Sequence, residues 1–95
     1  MFIKNIGKEI GKDLIIFGSN KCYKTNIVRN ILLSKKHKSW HIFYIENHKE
    51  LEKEIKQRYL HIPVFFVRNN EYYYQYYGNY SKFFNDFFNN KIYFN

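Results

Sequence analysis

The segment Leu14–Leu33, LIIFGSNKCYKTNIVRNILL, constrains the fold most, because its pattern changes character twice. An apolar run predicts a buried strand over Leu14–Phe17, and Gly18-Ser19-Asn20 ends it with a polar loop. Beyond the loop, apolar residues recur at intervals of three and four, which predicts a helix from about Cys22 to Ser34. The members of that stripe are Ile27, Val28, Ile31 and Leu32. A strand, a loop and a helix therefore follow one another, with the only cysteine of the chain at the junction.

Cys22 is the candidate nucleophile. The free N–H groups and the dipole at a helix N-terminus favour negative charge, so a thiolate at this position is stabilised. Lys21 and Lys24 flank the cysteine and bring positive charge to the same place. The alternative is a buried, inert cysteine that serves only packing.

Length and composition indicate one domain with a basic surface. A chain of 95 residues is long enough for a single core, so we predict a single domain over residues 1–95. Ten Tyr and ten Phe supply much of the apolar area that such a core needs. The lysines behind the net charge of +8 are scattered, which favours a solvated basic surface over a nucleic-acid site.

Cysteine usage and hydropathy predict a cytoplasmic, reducing location without a membrane partner. One cysteine cannot form an internal disulfide, and the chain shows neither a signal peptide nor an apolar run of the about 20 residues that cross a bilayer. Asn, Lys, Ile, Phe and Tyr dominate, and their A- and T-rich codons indicate an AT-rich genome, either that of a large DNA virus or that of an AT-rich microbe. A virus-encoded protein of this kind is expected in the host cytoplasm.

The sequence predicts one more element before this segment and two after it. Residues 1–12 have the pattern of a short amphipathic helix ended by a glycine. Trp40–Glu46, WHIFYIE, is apolar on both faces, which predicts a strand covered on both sides. Asn47 and Glu50 form a capping box for a helix from His48 to about Tyr59. That helix turns Leu51 and Ile55 inward and Glu/Lys pairs outward.

The C-terminal part predicts a β-hairpin and a last helix. Val64–Arg68 and Glu71–Tyr77 are aromatic and β-branched strands joined at Asn69-Asn70, because Asn tolerates the positive φ of a tight turn. Gly78-Asn79 ends the second strand, and Tyr80–Asn90 has helical spacing, with residues 91–95 as a short tail. The apolar stripe of this helix consists of Phe83, Phe84, Phe87 and Phe88. The order α-β-α-β-α-β-β-α predicts an α/β fold, a four-stranded mixed sheet flanked by helices.

Between Asp13 and Asn90 the chain resembles the glutaredoxins, which have the thioredoxin fold. Four landmarks carry the resemblance: an apolar strand and loop that lead to Cys22, a Cys-x-x-Cys slot filled by Cys22-Tyr23-Lys24-Thr25, Ile62-Pro63 before a strand, and Gly78-Asn79-Tyr80-Ser81-Lys82-Phe83 before the last helix. The resemblance implies a thioredoxin fold with a cis peptide bond at Ile62-Pro63.

Departures from the family pattern imply a single-cysteine variant. Thr25 replaces the second cysteine, and Tyr23 replaces the proline that follows the first. Ser19 replaces a lysine whose charge Lys21 takes over, and Ser81 replaces the acidic residue at the γ-glutamyl amine of glutathione. The resemblance therefore implies a thiol–disulfide oxidoreductase that acts on glutathione mixed disulfides by a monothiol mechanism through Cys22.

The resemblance also implies where glutathione, the co-substrate, is held. Ile62 offers its backbone to the cysteinyl part, and the start of the last helix offers N–H groups and a hydroxyl to a carboxylate. Lys21 is expected to pair with the glycine carboxylate of glutathione, and it is a better candidate for this role than Gln57 or Arg58. The implied glutathione-binding residues are Lys21, Ile62, Pro63, Asn79, Tyr80 and Ser81.

Other cofactors and functions are weighed against this interpretation. An iron–sulfur cluster is not favoured, because the loop lacks the Cys-Gly-Phe-Ser sequence of cluster-binding members, and the His and Cys residues lack zinc-ligand spacing. The main alternative is a catalytically silent thioredoxin-fold module that recognises a partner protein through its basic, Tyr-rich surface. A nucleic-acid-binding protein is a weaker alternative. The expected partners are glutathione and glutathionylated or disulfide-containing proteins, for a monomer or a Cys22-linked dimer.

Overall fold

The structure is a computed structural model, and it describes residues 11–35, 39–58 and 61–93. The helix predicted over residues 1–12 lies outside the described residues except for Gly11 and Lys12. The side chains of Leu51 and Arg58 also lie outside them, so the predictions for these two side chains stay predictions. None of the described helices combines the length and the apolar character that a membrane crossing requires.

Four strands form one mixed sheet in the order β2-β1-β3-β4. They are β1 (Leu14–Gly18), β2 (Trp40–Tyr44), β3 (Val64–Asn69) and β4 (Tyr72–Tyr76). β1 runs parallel to β2 and antiparallel to β3, and β3 pairs antiparallel with β4. The apolar strands β1 and β3 therefore occupy the centre of the sheet. Every residue of β1 is buried. The predicted mixed four-stranded sheet is confirmed.

Among the described residues, three helices cover the two faces of the sheet: α1 (Tyr23–Ser34), α2 (Lys49–Arg58) and α3 (Tyr80–Phe88). Alternate residues of β1 point to opposite faces. Ile15 and Phe17 join Ile55 of α2 in one apolar cluster. Leu14 and Ile16 join the second cluster, with residues of both α1 and α3. The predicted arrangement with helices on both faces is confirmed, including the inward position of Ile55.

The strand predicted over Trp40–Glu46 is too long by two residues. β2 ends at Tyr44, opposite Gly18, because β1 turns into its loop there and leaves no strand to pair with. Ile45–Asn47 forms a single 3₁₀ turn that buries Ile45. The predicted cap is also displaced by one residue: α2 begins at Lys49, and the His48 carbonyl accepts the hydrogen bond from the Glu52 N–H at 2.9 Å. Asn47 therefore belongs to the turn.

The hairpin turn also differs by one residue from its prediction. Asn69 pairs with Tyr72, so the turn residues are Asn70 and Glu71. Asn70 takes a φ of +59°, the left-handed conformation that Asn accepts at low cost. The last helix ends at Phe88, two residues before its predicted end, and Asn90 beyond it is likewise left-handed with a φ of +54°.

Candidate functional site

The loop between β1 and α1 is held by hydrogen bonds from four consecutive backbone N–H groups. Two acceptors are atoms of Ser19 itself, and two are side chains outside the loop. The donors and acceptors are Ser19 N to Thr25 Oγ1 at 3.2 Å, Asn20 N to Glu46 Oε2 at 2.8 Å, Lys21 N to Ser19 Oγ at 3.1 Å and Cys22 N to the Ser19 carbonyl at 3.1 Å. This fixes the backbone path that leads into Cys22.

Cys22 lies at the N-cap position of α1. Its backbone is extended, with φ −97° and ψ 118°, and its carbonyl accepts from the Asn26 N–H at 3.3 Å. The side chain is half-buried, so the sulfur is shielded but reachable. The sequence prediction that places the cysteine at the junction of loop and helix is confirmed.

The pKa of the Cys22 thiol is lowered from its ordinary value. Burial acts in the opposite direction and raises the pKa, but hydrogen bonds from the Thr25 N–H and hydroxyl and from the Lys24 N–H outweigh it. The charge of Lys24 lowers the pKa further. These donors all belong to the first turn of α1, so the helix start stabilises the thiolate.

Thr25 occupies the place of the second cysteine in the Cys-x-x-Cys slot, and its side chain is fully buried. Its hydroxyl accepts from the Ser19 N–H and also bonds the sulfur of Cys22. The close approach depends on Gly18, since a Cβ built there would lie 2.5 Å from the Cγ2 of Thr25. Thr25 thus connects the end of β1, the loop and Cys22.

The Ile62-Pro63 segment faces the thiol from the start of β3. The peptide bond between the two residues is cis, and the Sγ of Cys22 lies 4.0 Å from the Ile62 carbonyl oxygen. Both residues line an open cavity of about 670 Å³, whose wall also includes Lys24, Asn79 and Tyr80. Three segments that are distant in the sequence therefore meet at this end of the sheet.

A solved structure decides the identity of the fold. The solution structure of the dithiolic glutaredoxin 2-C-Grx1 from the pathogen Trypanosoma brucei brucei matches with a TM-score of 0.61 and 22% sequence identity. The match covers 94% of this chain and 89% of that one. The chain has the glutaredoxin type of thioredoxin fold. No family model and no curated protein sequence matches the chain.

Within the glutaredoxin fold, α3 begins at Tyr80 as predicted, and the binding role of Asn79, Tyr80 and Ser81 stays a prediction. The side chain of Asn79 accepts from the Lys82 N–H at 2.8 Å, so it caps the helix and is already engaged. The N–H groups of Tyr80 and Ser81 belong to the first turn, which has no intrahelical acceptor for them. Tyr80 is half-buried on the cavity wall, whereas Ser81 is exposed beside it in sequence.

Lys21, Tyr23 and Gln57 are not among the residues that line the cavity. Lys21 is exposed in the loop, and its charge acts on Glu46. Tyr23 is 67% exposed directly after the cysteine. Gln57 is exposed on α2, and the side chain of Arg58 lies outside the described residues. In the described ranges, no group of three or more His, Cys, Asp or Glu residues is arranged to hold a metal ion.

Sequence reasoning missed Glu46, which it counted as the last residue of a strand. A signal was present, because the carboxyl ends of neighbouring parallel strands lie at one edge of the sheet. β1 ends at Gly18 opposite Tyr44, so residues just after the two strands are neighbours. A carboxylate two residues after β2 is thereby within reach of the loop after β1.

Proposed function

We propose that the chain is a thiol–disulfide oxidoreductase that acts on glutathione mixed disulfides by a monothiol mechanism, with glutathione as co-substrate. The observation that carries the proposal is the Cys22 thiol, which lies half-buried at the start of α1 in a glutaredoxin fold and has a lowered pKa. A thiolate at neutral pH is the species that attacks a disulfide.

The proposed reaction has two exchanges and needs one cysteine. The Cys22 thiolate attacks the glutathione sulfur of a mixed disulfide, the substrate protein leaves as a thiolate that takes up a proton, and Cys22 carries the glutathionyl group. The thiolate of a second glutathione then attacks the glutathione sulfur on Cys22. Glutathione disulfide forms, Cys22 returns as a thiolate, and the second glutathione has supplied the electrons. Thr25, in the slot of the second cysteine, offers a hydroxyl and no competing thiol.

Glutathione binding is proposed along the cavity beside Cys22. The backbone of Ile62 next to Pro63 faces its cysteinyl part, and the N–H groups of Tyr80 and Ser81 attract a carboxylate at the start of α3. The side chain of Asn79 caps the helix, so Asn79 orients the N–H groups of Tyr80 and Ser81 and does not bind glutathione through its side chain. Lys21 supplies positive charge for the second carboxylate.

The test is the thiol pKa of Cys22, obtained from the alkylation rate as a function of pH, with intact mass after treatment with glutathione disulfide. We expect a pKa below the about 8.5 of a free cysteine and one added glutathione. The Cys22→Ser variant is the control and takes up none. An ordinary pKa without an adduct would overturn the proposal.

A second candidate function is a binding module without catalysis, and exposed tyrosines around the site favour it. Tyr77 is 79% exposed and Tyr23 is 67% exposed, and aromatic side chains of this kind are common at the centre of protein interfaces. The discriminating variant is again Cys22→Ser. Full biological activity of this variant supports the binding module, and loss of activity supports the oxidoreductase.

A further inference from the structure

A long-range hydrogen bond ties the Cys22 loop to the turn that follows the neighbouring strand β2. The Oε2 of Glu46 accepts from the Asn20 N–H at 2.8 Å, and Asn20 lies two residues before the nucleophile. Glu46 is in the 3₁₀ turn that follows β2. The other three loop N–H groups bind atoms of Ser19 or Thr25, which are close in sequence. Among these four bonds, only the one to Glu46 reaches a residue outside the segment that runs from β1 through α1.

The carboxylate of Glu46 is held in its charged form. Burial raises its pKa, but bonds from its own N–H, from the Asn20 N–H and from the Ser19 hydroxyl, together with the charge of Lys21, lower the pKa overall. The Oε1 atom is shut off from solvent. A charged acceptor makes a stronger hydrogen bond than a neutral one, so Glu46 is a firm anchor at neutral pH.

The anchor acts on the nucleophile through the backbone. Asn20 and Lys21 connect the anchored N–H to Cys22, and the position of Cys22 decides whether its sulfur meets the donors of Thr25 and Lys24. A loop released from β2 has more conformations, and only some of them keep the sulfur at the helix start.

We propose that Glu46 is a positioning residue, which holds loop residues 19–22 so that the sulfur of Cys22 stays at the N-terminus of α1. It contacts neither the substrate nor the reacting atoms. The effect of Glu46 on disulfide exchange rests on the proposed function, whereas its effect on the conformation of the loop does not.

The experiment compares Glu46→Ala, Glu46→Gln and a control, Glu50→Gln, which changes an exposed glutamate on α2. The first measurement is the alkylation rate of Cys22 as a function of pH, and the second is hydrogen exchange of the Asn20 amide. In Glu46→Ala we expect the pKa of Cys22 to rise by about 0.5–1 unit, which slows alkylation about three- to tenfold at pH values below the pKa of the unchanged protein. Exchange at Asn20 rises about tenfold or more as its acceptor is lost.

The sign of the pKa change separates positioning from a direct charge effect. Removal of a negative charge near a thiol would by itself lower the thiol pKa. A rise in Glu46→Ala therefore means that the sulfur has lost its donors. Glu46→Gln keeps an acceptor oxygen without the charge, so we expect values between those of Glu46→Ala and the unchanged protein. Glu50→Gln leaves both measurements unchanged.

Failure of this inference and failure of the proposed function give different results. An ordinary pKa of Cys22 in the unchanged protein overturns the function, while faster Asn20 exchange in Glu46→Ala still supports the anchor. A low Cys22 pKa that persists in Glu46→Ala, with Asn20 exchange unchanged, overturns the inference alone. Circular dichroism monitors folding, and if Glu46→Ala does not fold, Glu46→Gln decides by the same two measurements.

Discussion

At the scale of single residues, the hydroxyl of Thr25 links Cys22 to the loop before α1. Thr25→Val keeps the volume and removes this hydroxyl, so the Ser19 N–H loses its acceptor and the Cys22 sulfur loses a donor. We expect the free energy of unfolding to fall by about 1–3 kcal/mol. The pKa of Cys22 moves up toward its ordinary value. Denaturant unfolding and the pH dependence of alkylation measure the two effects.

The matched control for Thr25 is Thr25→Ser, which keeps the hydroxyl and removes one methyl group. We expect its Cys22 pKa to stay close to that of the unchanged protein, with a modest loss of stability from the missing methyl. Equal Cys22 pKa values in the Val and Ser variants would show that the hydroxyl has no part in stabilising the thiolate.

At the scale of elements, the packing of β1 against α1 depends on Gly18. An added Cβ would lie 2.5 Å from the Cγ2 and 2.6 Å from the Oγ1 of Thr25, both within a buried side chain. Gly18→Ala therefore forces the loop and the helix start apart, and we expect a loss of about 1–3 kcal/mol in the free energy of unfolding. The double variant with Thr25→Ala loses the two closest contacts and keeps only the one to the Cβ at 3.1 Å, so the losses fall short of additivity. Strictly additive losses would argue against this contact.

A hydrogen bond between Tyr76 and Asp86 joins β4 to α3. The Tyr76 hydroxyl donates to the Oδ2 of Asp86 at 2.7 Å. Burial, the hydrogen bond and the charge of Asp86 raise the pKa of Tyr76 to about 12, from 10.0 ordinarily. Because the folded pKa is the higher one, the contribution to stability is complete below about pH 10 and is lost as the pH rises toward 12.

The variant Tyr76→Phe tests this alkaline effect. We expect it to be about 1 kcal/mol less stable than the unchanged protein at pH 8, and this difference to vanish and then reverse between about pH 10 and pH 12. Urea unfolding at a series of pH values measures it. The difference between the two proteins cancels the titration of Tyr73, whose pKa burial also raises. A stability gap independent of pH would contradict the assignment.

The elements were predictable to different degrees, and the reason is the range of the interactions that set them. The strand, loop and helix around Cys22 follow from local periodicity and were predicted almost to the residue. The end of β2 depends on where β1 stops pairing, and the turn at Asn70 depends on the register of two strands. No local pattern contains that information, so both predictions were displaced.

At the scale of the whole molecule, the candidate site is a meeting of distant segments. The loop before α1, the Ile62-Pro63 segment and the start of α3 lie at one end of the sheet. Local sequence patterns predicted each of these three segments separately. Only the resemblance to a family predicted that they lie together. The contact of Glu46 with Asn20 spans 26 residues and escaped both routes, since it needs the parallel register of β1 and β2.

The net charge of +8 also acts at this scale, because a basic surface attracts anions before any contact forms. Glutathione disulfide is a net anion at neutral pH, so we expect its reaction with Cys22 to slow, on the order of threefold, when salt screens the field. The rate of this reaction is measured by stopped flow at low and high ionic strength, with glutathione disulfide competing against an alkylating reagent for Cys22. An uncharged disulfide, bis(2-hydroxyethyl) disulfide, is the control and should react at nearly constant rate. If both disulfides respond equally to salt, the ionic strength changes the thiol itself, and the basic surface has no steering effect on the substrate.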